Sequence, residues 1–328
     1  MMTASIRPGA TSGGRHFRDD CRPAGVGDND PMGSRVFHGS QFAPEALVEA
    51  KAGRFVSLCL PARDEAATVG PIVEAVVREL VEQVPLVDEV LVVDDGSTDS
   101  TVAVAAEAGA TVVAAGEVLP GCGPGRGKGE ALWKALAASK GDLLAFCDAD
   151  LRDFDPGFVT GLLGPLLDDP DIGFVKGFYD RPLEGVAGTG GRVTELVARP
   201  LLALLFPDLA AVVQPLAGEF AARRSVLEQV PFVQGYGVDL GLLVDVASRF
   251  GVHTVAQVDL GTRTHRNRPL DELASQALAV LRAALERAGV DLGPDEAAVL
   301  VRPGREPLTV EGSQRPPMVE VPAYRDRV

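Results

Sequence analysis

Asp148 and Asp150 stand one residue apart where the apolar run Leu143–Cys147 ends, in the stretch LLAFCDADLRDFDP (143–156). If that run is a β-strand, residues i and i+2 share a face, so both carboxylates aim at one point. Paired hard oxygen donors suit a divalent cation such as Mg2+ or Mn2+, which keeps positions open for a substrate diphosphate. Such a cation neutralises a departing diphosphate as a Lewis acid. The plainer reading is a strand ending in a polar turn, and D-x-D alone does not exclude it. Asp153 and Asp155 read as capping and solvent residues before a helix at Gly157.

Positive charge to face a diphosphate is offered by three segments. GCGPGRGKGE (121–130) is neither a dinucleotide fingerprint nor a P-loop, because the required third glycine falls on Arg126, Lys128 or Glu130. For a P-loop, Cys122 stands in place of the first glycine and Gly129 in place of Ser or Thr. What remains is a flexible loop bringing Arg126 and Lys128 to a helix N-terminus, which suits a phosphate. GTGGRVTELVARP (188–200) sets Gly191, Arg192, Val193 and Thr194 at a helix start, a fit for a phosphate monoester. GTRTHRNRP (261–269) gathers Arg263, His265, Arg266, Asn267 and Arg268; His265 reads either as a third metal ligand or as a structural histidine.

Two further strand ends are polar. In VVDDGSTD (92–99), Ser97, Thr98 and Asp99 suffice for capping. That leaves Asp94 and Asp95 able to accept from a nucleobase N–H or a ribose hydroxyl. In LPARDEAATV (60–69), Pro61 and Ala62 expose backbone groups, Glu65 faces a ribose and Asp64 caps the helix.

The elements that must position these residues alternate. Strands are expected at 54–62, 88–96, 110–115 and 142–150, with helices at 66–81, 100–108 and 130–139. Continuously apolar strands between helices imply a parallel sheet covered on both faces, and ligands bind beyond the carboxyl ends of such strands. Every motif of this half lies at such an end. After residue 156 the pattern is irregular: a helix at 157–167, a strand at 172–180 with Lys176, Phe178 and Asp180 on one face, helices near 193–206, 235–251 and 271–289, and a strand at 253–265. The organisation expected is a largely disordered segment 1–52, helical only at 44–52, a nucleotide-sugar-binding half 53–155, an acceptor-binding and dimerisation half 156–300, and an extended tail 301–328.

A net charge of −15 argues against nucleic-acid binding. Cys21, Cys59, Cys122 and Cys147 show no metal or redox spacing, which fits a disulfide-free cytoplasmic protein. No signal-peptide pattern opens the chain. The apolar stretch 196–217 is broken by Arg199, Pro200, Pro207, Asp208 and Pro215, so it reads as core or subunit interface rather than a membrane span.

Taken in order, PARDEA, VVDDGSTD, GKGEALW, DAD, GGRVTELVARPLL, GYGVD and HRNRPL, with an echo in RPPM (315–318), resemble the actinobacterial glucosyl-3-phosphoglycerate synthases from about residue 54 to 275. The resemblance implies an α/β protein of the GT-A glycosyltransferase fold, with a mostly parallel central sheet flanked by helices and a Rossmann-like N-terminal half. It implies retaining transfer of glucose from UDP-glucose to the 2-hydroxyl of D-3-phosphoglycerate, with Mg2+ or Mn2+, by a cytoplasmic homodimer. Carried over residue by residue, Pro61, Ala62, Arg63, Asp64 and Glu65 with Asp95 hold the uridine. Asp148 with Ala149 serves the ribose, and Lys128 the donor phosphate or sugar. Asp150 and His265 hold the metal, with Arg263 and Arg268 near the diphosphate. Tyr236 and Asp239 face the glucose hydroxyls. Gly191, Arg192, Val193, Thr194 and Asn267 bind the glycerate phosphate. Asp150, Lys128, Asp239 and Arg263 are the residues expected to carry catalysis.

Three positions depart from the family pattern: Asp64 stands for Asn, Asp95 for Ser and Asp239 for Glu. Asp239 is one methylene shorter and faces the sugar, so UDP-glucose, GDP-glucose and a mannose donor all stay open. No carboxylate is placed as a covalent nucleophile, which favours front-face attack. Two alternatives are weaker. A sugar-1-phosphate nucleotidyltransferase puts its Gly-Lys loop after the first strand, where this chain has PARDEAATV. A catalytically silent nucleotide-sugar-binding partner would release no UDP in the presence of 3-phosphoglycerate.

Overall fold

Runs such as 56–62 and 143–146 lack polar alternation, so as strands they need cover on both faces. In the structure, a computed structural model that describes residues 35–180, 191–262, 270–293 and 297–326, they obtain it. The chain begins with β1 (Val36–His38), α1 (Pro44–Lys51), β2 (Val56–Ala62), α2 (Val69–Val76), β3 (Glu89–Asp94), α3 (Thr101–Glu107), β4 (Thr111–Ala114), α4 (Lys128–Ala138) and β5 (Leu143–Phe146). It continues through α5 (Gly157–Asp168), β6 (Phe174–Asp180), α6 (Arg199–Leu205), β7 (Phe220–Arg223), α7 (Arg224–Leu227), β8 (Phe232–Val233), α8 (Val238–Phe250) and β9 (Val255–Thr262). It closes with α9 (Leu270–Arg287), β10 (Ala297–Leu300), β11 (Leu308–Glu311), β12 (Gln314–Arg315) and α10 (Pro322–Arg325).

Among the described residues one eight-stranded sheet runs β1-β9-β6-β7-β5-β2-β3-β4. Only β7 is antiparallel to its neighbours; the other pairings are parallel. Alternate side chains feed two cores. Cys59, Leu91, Phe146 and Phe220 pack with Trp133 of α4 and Leu243 of α8. Leu58, Val92, Ala145 and Ala221 pack with Ile72 of α2 and Leu162 of α5.

Three features differ from the sequence expectation. Residues 35–52 join the fold: β1 pairs with β9, and Lys51 of α1 meets Asp88 at 2.6 Å. A three-residue edge strand carries no periodicity to read. The tail is anchored as well as extended, with β12 paired to β8 and Arg315, Met318, Val321 and Tyr324 buried. A few anchors spaced among prolines show no helical or strand period. Finally, β7 lies at the centre of the sheet between β5 and β6, unannounced because only four residues, Phe220–Arg223, form it. One sheet thus spans both halves divided at residue 155. Residues 1–34 lie outside the described residues.

Candidate active site

β5 stops at Phe146, so Asp148 and Asp150 follow the strand rather than belong to it. Alternation nevertheless continues: Cys147, Ala149 and Leu151 are buried, while both acids stay partly exposed on the other side. The ladder has ended and 149–150 form a turn, so strand geometry no longer sets the face that the two acids share. Asp155 accepts from the Gly157 amide at 2.6 Å, the capping role read for it.

Lys128 opens α4, behind Gly127 at φ +84°, a left-handed conformation that favours glycine. Gly129 is needed for a different reason: a Cβ there would stand 1.8 Å from the Val233 carbonyl oxygen of β8. This seat turns the ammonium inward, to 3.0 Å from Asp148 Oδ1 and 3.2 Å from Asp239 Oδ2, while Arg126 stays exposed. Asp239 lies in the first turn of α8, where a carboxylate suits the positive end of the helix dipole. Burial alone would lower the Lys128 pKa, but the charges of Asp148 and Asp239 prevail and hold it above the ordinary lysine value. Tyr236, half exposed, sits just before Asp239 in the turn Gly235–Gly237.

Asp148 rests on Gly218, where a Cβ would lie 2.3 Å from Asp148 Oδ2. Gly218→Ala is expected to push this carboxylate aside and weaken uridine diphosphate binding about 10- to 100-fold. Calorimetry that finds unchanged affinity would remove Asp148 from the donor site. Beside Gly218, buried Glu219 accepts from Tyr179 Oη at 3.0 Å, and Lys176 is buried behind Asp239. The sequence does not mark Glu219, and it places Lys176 on a strand face without a role. Their only signal was a charge set inside or against an apolar run.

The loops after β2 and β3 are laced together. Asp95 N donates to Ala62 O at 2.9 Å, and Glu65 N donates to Thr101 Oγ1 at 2.8 Å. Asp64, at φ +56°, accepts from the Thr98 amide at 2.7 Å, so it caps the neighbouring loop rather than its own helix. Asp94 corrects the reading that it is spare for ligand: its carboxylate accepts from Gly96 N at 3.2 Å and from Ser97 N at 3.2 Å. Asp95 instead reaches the glycine loop, accepting from Gly127 N at 3.2 Å with Arg63 Nη1 at 3.8 Å. Burial pushes its carboxyl pKa up. Pro61, Ala62, Arg63, Asp95 and Lys128 are therefore brought to one neighbourhood at the strand tips.

Gly191 precedes a helical run that opens with Arg192 and Val193, passes through a π-helical segment, Thr194–Ala198, and continues as α6. Gly191 takes φ +82°, Arg192 is exposed and Thr194 is buried. Arg263, His265, Asn267 and Arg268 lie outside the described residues.

The tail supplies a residue that the sequence marks only through RPPM, with no role attached. Arg315 forms a bidentate pair with buried Glu130 in α4, at 2.6 and 2.8 Å. It also donates to the carbonyls of Cys122 at 2.5 Å and Gly123 at 2.9 Å. It thereby ties down the loop that carries Lys128.

The donor set suits a hard divalent cation. Asp148 and Asp150 offer carboxylate oxygens at an open edge, and Mg2+ or Mn2+ uses one or two carboxylates with substrate phosphates rather than a closed protein cage. Among the described residues no group of three His, Cys, Asp or Glu side chains gathers into a metal cage.

The family model of Glycosyl transferase family 2 matches residues 57–230. A glucosyl-3-phosphoglycerate synthase of Petrotoga mobilis is 42% identical over 316 residues, spanning 91% of this chain and 97% of its own. The glucosyl-3-phosphoglycerate synthase of Mycobacterium tuberculosis, solved in complex with Mn2+, uridine-diphosphate-glucose and phosphoglyceric acid, matches with a TM-score of 0.77 and 46% identity over 88% of this chain and 98% of that one. Mannosyl-3-phosphoglycerate synthase from Rubrobacter xylanophilus matches with a TM-score of 0.79 and 41% identity over 88% and 97%.

Proposed function

The chain belongs to the glucosyl-3-phosphoglycerate synthases of glycosyltransferase family 2, and from that premise we propose that it moves glucose from UDP-glucose to the 2-hydroxyl of D-3-phosphoglycerate with retention at the anomeric carbon. The observation that carries the reading is Lys128 held between Asp148 and Asp239 at the strand tips.

Each side chain then has work to do. The backbone of Pro61 and Ala62, with Arg63 and Asp95, takes the uridine, and Asp148 takes its ribose. Lys128 enters charged and donates to diphosphate oxygens as the anomeric C–O bond breaks, helped by the free N–H groups opening α4. Asp239 accepts from hexose hydroxyls beside Tyr236. Arg192 and Thr194, at a helix start, suit the phosphate of the acceptor. The acceptor hydroxyl attacks from the face the diphosphate leaves, its oxygen bonds to the anomeric carbon, and its proton passes to the leaving phosphate oxygen. Mg2+ or Mn2+, which Asp150 and His265 would hold, would supply neutralising charge for the diphosphate when bound.

Incubation with UDP-glucose, GDP-glucose or GDP-mannose, each with and without 3-phosphoglycerate and Mg2+, tests this by the mass of the product. Glucosyl-3-phosphoglycerate from UDP-glucose is expected; donors left intact in every mixture would overturn the reading. A mannosyl product from GDP-mannose would favour the second reading, which the short Asp239 side chain and the likeness to the mannosyl enzyme support. Asp150→Ala is expected to lower metal-dependent turnover at least about 100-fold, and full turnover would strike Asp150 from the metal site.

The same reading divides the labour between a donor half, 53–155, and an acceptor half, 156–300. It places a homodimer in the cytoplasm. Leu196 and Leu204, exposed at 75% and 80%, support an apolar contact between copies, and a monomer in sedimentation would overturn it. Free Cys59, Cys122 and Cys147 support a reducing compartment, which cell fractionation checks.

A further inference from the structure

Lys176 has no part in the steps above, yet it is 1% exposed and its ammonium lies 3.7 Å from Asp239 Oδ1. The sheet fixes it from both sides, since Lys176 of β6 pairs with Phe220 of β7 and Gln257 of β9. Its Nζ donates to Ala217 O at 2.7 Å and sits 5.5 Å from the Phe220 ring centre. Asp239 is itself 5% exposed, and its Oδ1 is buried and accepts no hydrogen bond among the described residues. Its other oxygen depends on Lys128, which Asp148 shares.

Donor binding upsets this balance. A diphosphate draws Lys128 toward itself, and Asp239 is then a buried carboxylate losing its nearer cation. Such a charge is costly when left unpaired. Lys128 can move because it heads a loop and a helix; Lys176 cannot, because strand pairing and the Ala217 carbonyl hold it. We propose that Lys176 is a positioning residue, the resident counter-ion of Asp239, which keeps that carboxylate paired and aimed at the donor hexose once Lys128 has turned to the diphosphate. Burial holds the Lys176 pKa below the ordinary lysine value; Asp239, and after it Glu219 and Asp148, oppose the fall, and Lys128 adds to it.

The inference rests on the donor reading above and is tested on the full chain by calorimetry and steady-state kinetics. Lys176→Met is expected to weaken UDP-glucose binding and lower kcat/KM on the order of 100-fold, and to weaken UDP, whose diphosphate also draws Lys128 but which brings no hexose for Asp239 to hold, by a clearly smaller factor. Lys176→Gln keeps a donor for Ala217 O without the charge and is expected to show the same split. In an Asp239→Asn background the amide needs no counter-ion, so Lys176→Met should add less than about 3-fold. Equal losses for UDP and UDP-glucose, or losses that multiply in the double variant, would reduce Lys176 to a structural residue. A parent that binds UDP-glucose but forms no product with 3-phosphoglycerate sinks the acceptor reading and leaves this inference standing.

Discussion

Arg315→Met is expected to lower the unfolding free energy by about 3–5 kcal/mol, the usual consequence of removing one partner from a buried ion pair, and Tm by about 5–10 °C. The magnitude follows from what is left behind. Glu130 is 2% exposed and loses both donors of the guanidinium fork, keeping Lys134 at 3.6 Å. The carbonyls of Cys122 and Gly123 lose their donors as well. The plane of Arg315 also leaves the Trp133 ring, whose centre is 5.3 Å away. Gly125 shows how closely the pair fills its space: a Cβ there would lie 2.4 Å from Glu130 Oε2 and 2.6 Å from Arg315 Nη2. Activity should fall along with stability, because Glu130 lies in the same first turn of α4 as Lys128. Arg315→Lys keeps the charge but not the fork and is expected to recover only part of the loss. Scanning calorimetry decides it: a Tm within about 1 °C of the parent would mean that the tail merely lies on the surface.

Why Arg315 was missed while Lys128 was found is a matter of local against distant information. The sheet's parallel half was legible because strands such as Leu58–Leu60 are apolar throughout, and parallel sheets put their ligands at one edge. That placed Asp95, Lys128, Asp148 and Asp150 together before any contact was known. The family resemblance picks Lys128 over Arg126 from GKGEALW; the physical reason, the seat of Gly129 against Val233, joins residues more than a hundred positions apart in the chain. Asp94 and Asp95 look alike in sequence; only the loop geometry assigns the first to the Gly96–Ser97 turn and the second to Gly127. β7 and β12, of four residues or fewer, give no period to detect; Lys176 lies in a strand that is legible, but its partner Asp239 is distant in sequence.

Lys128→Ala is expected to lower kcat/KM for UDP-glucose by about 100- to 1,000-fold, the range seen when one charged or hydrogen-bonding group facing a developing anion is removed. Two effects add. The departing diphosphate loses the cation that stays protonated through the reaction, since Asp148 and Asp239 outweigh burial in setting the Lys128 pKa. The donor also meets a site turned more negative, with Asp148 relieved of its ion pair and Asp239 left to Lys176 at 3.7 Å. UDP itself should therefore bind more weakly, and by a larger factor than in Lys176→Met, where the loss falls mainly on UDP-glucose. Lys128→Arg is not expected to rescue: the planar guanidinium has to point at two carboxylates from a helix start packed against Val233, and a compact ammonium does so with three freely turned donors. Asp148→Asn in the Lys128→Ala background should restore part of the UDP affinity by removing the repulsion, though none of the catalysis. A loss of less than about 10-fold in the single variant would show that the diphosphate is met by cations other than Lys128, and the meeting of Lys128, Asp148 and Asp239 would then be a structural ion network beside the site.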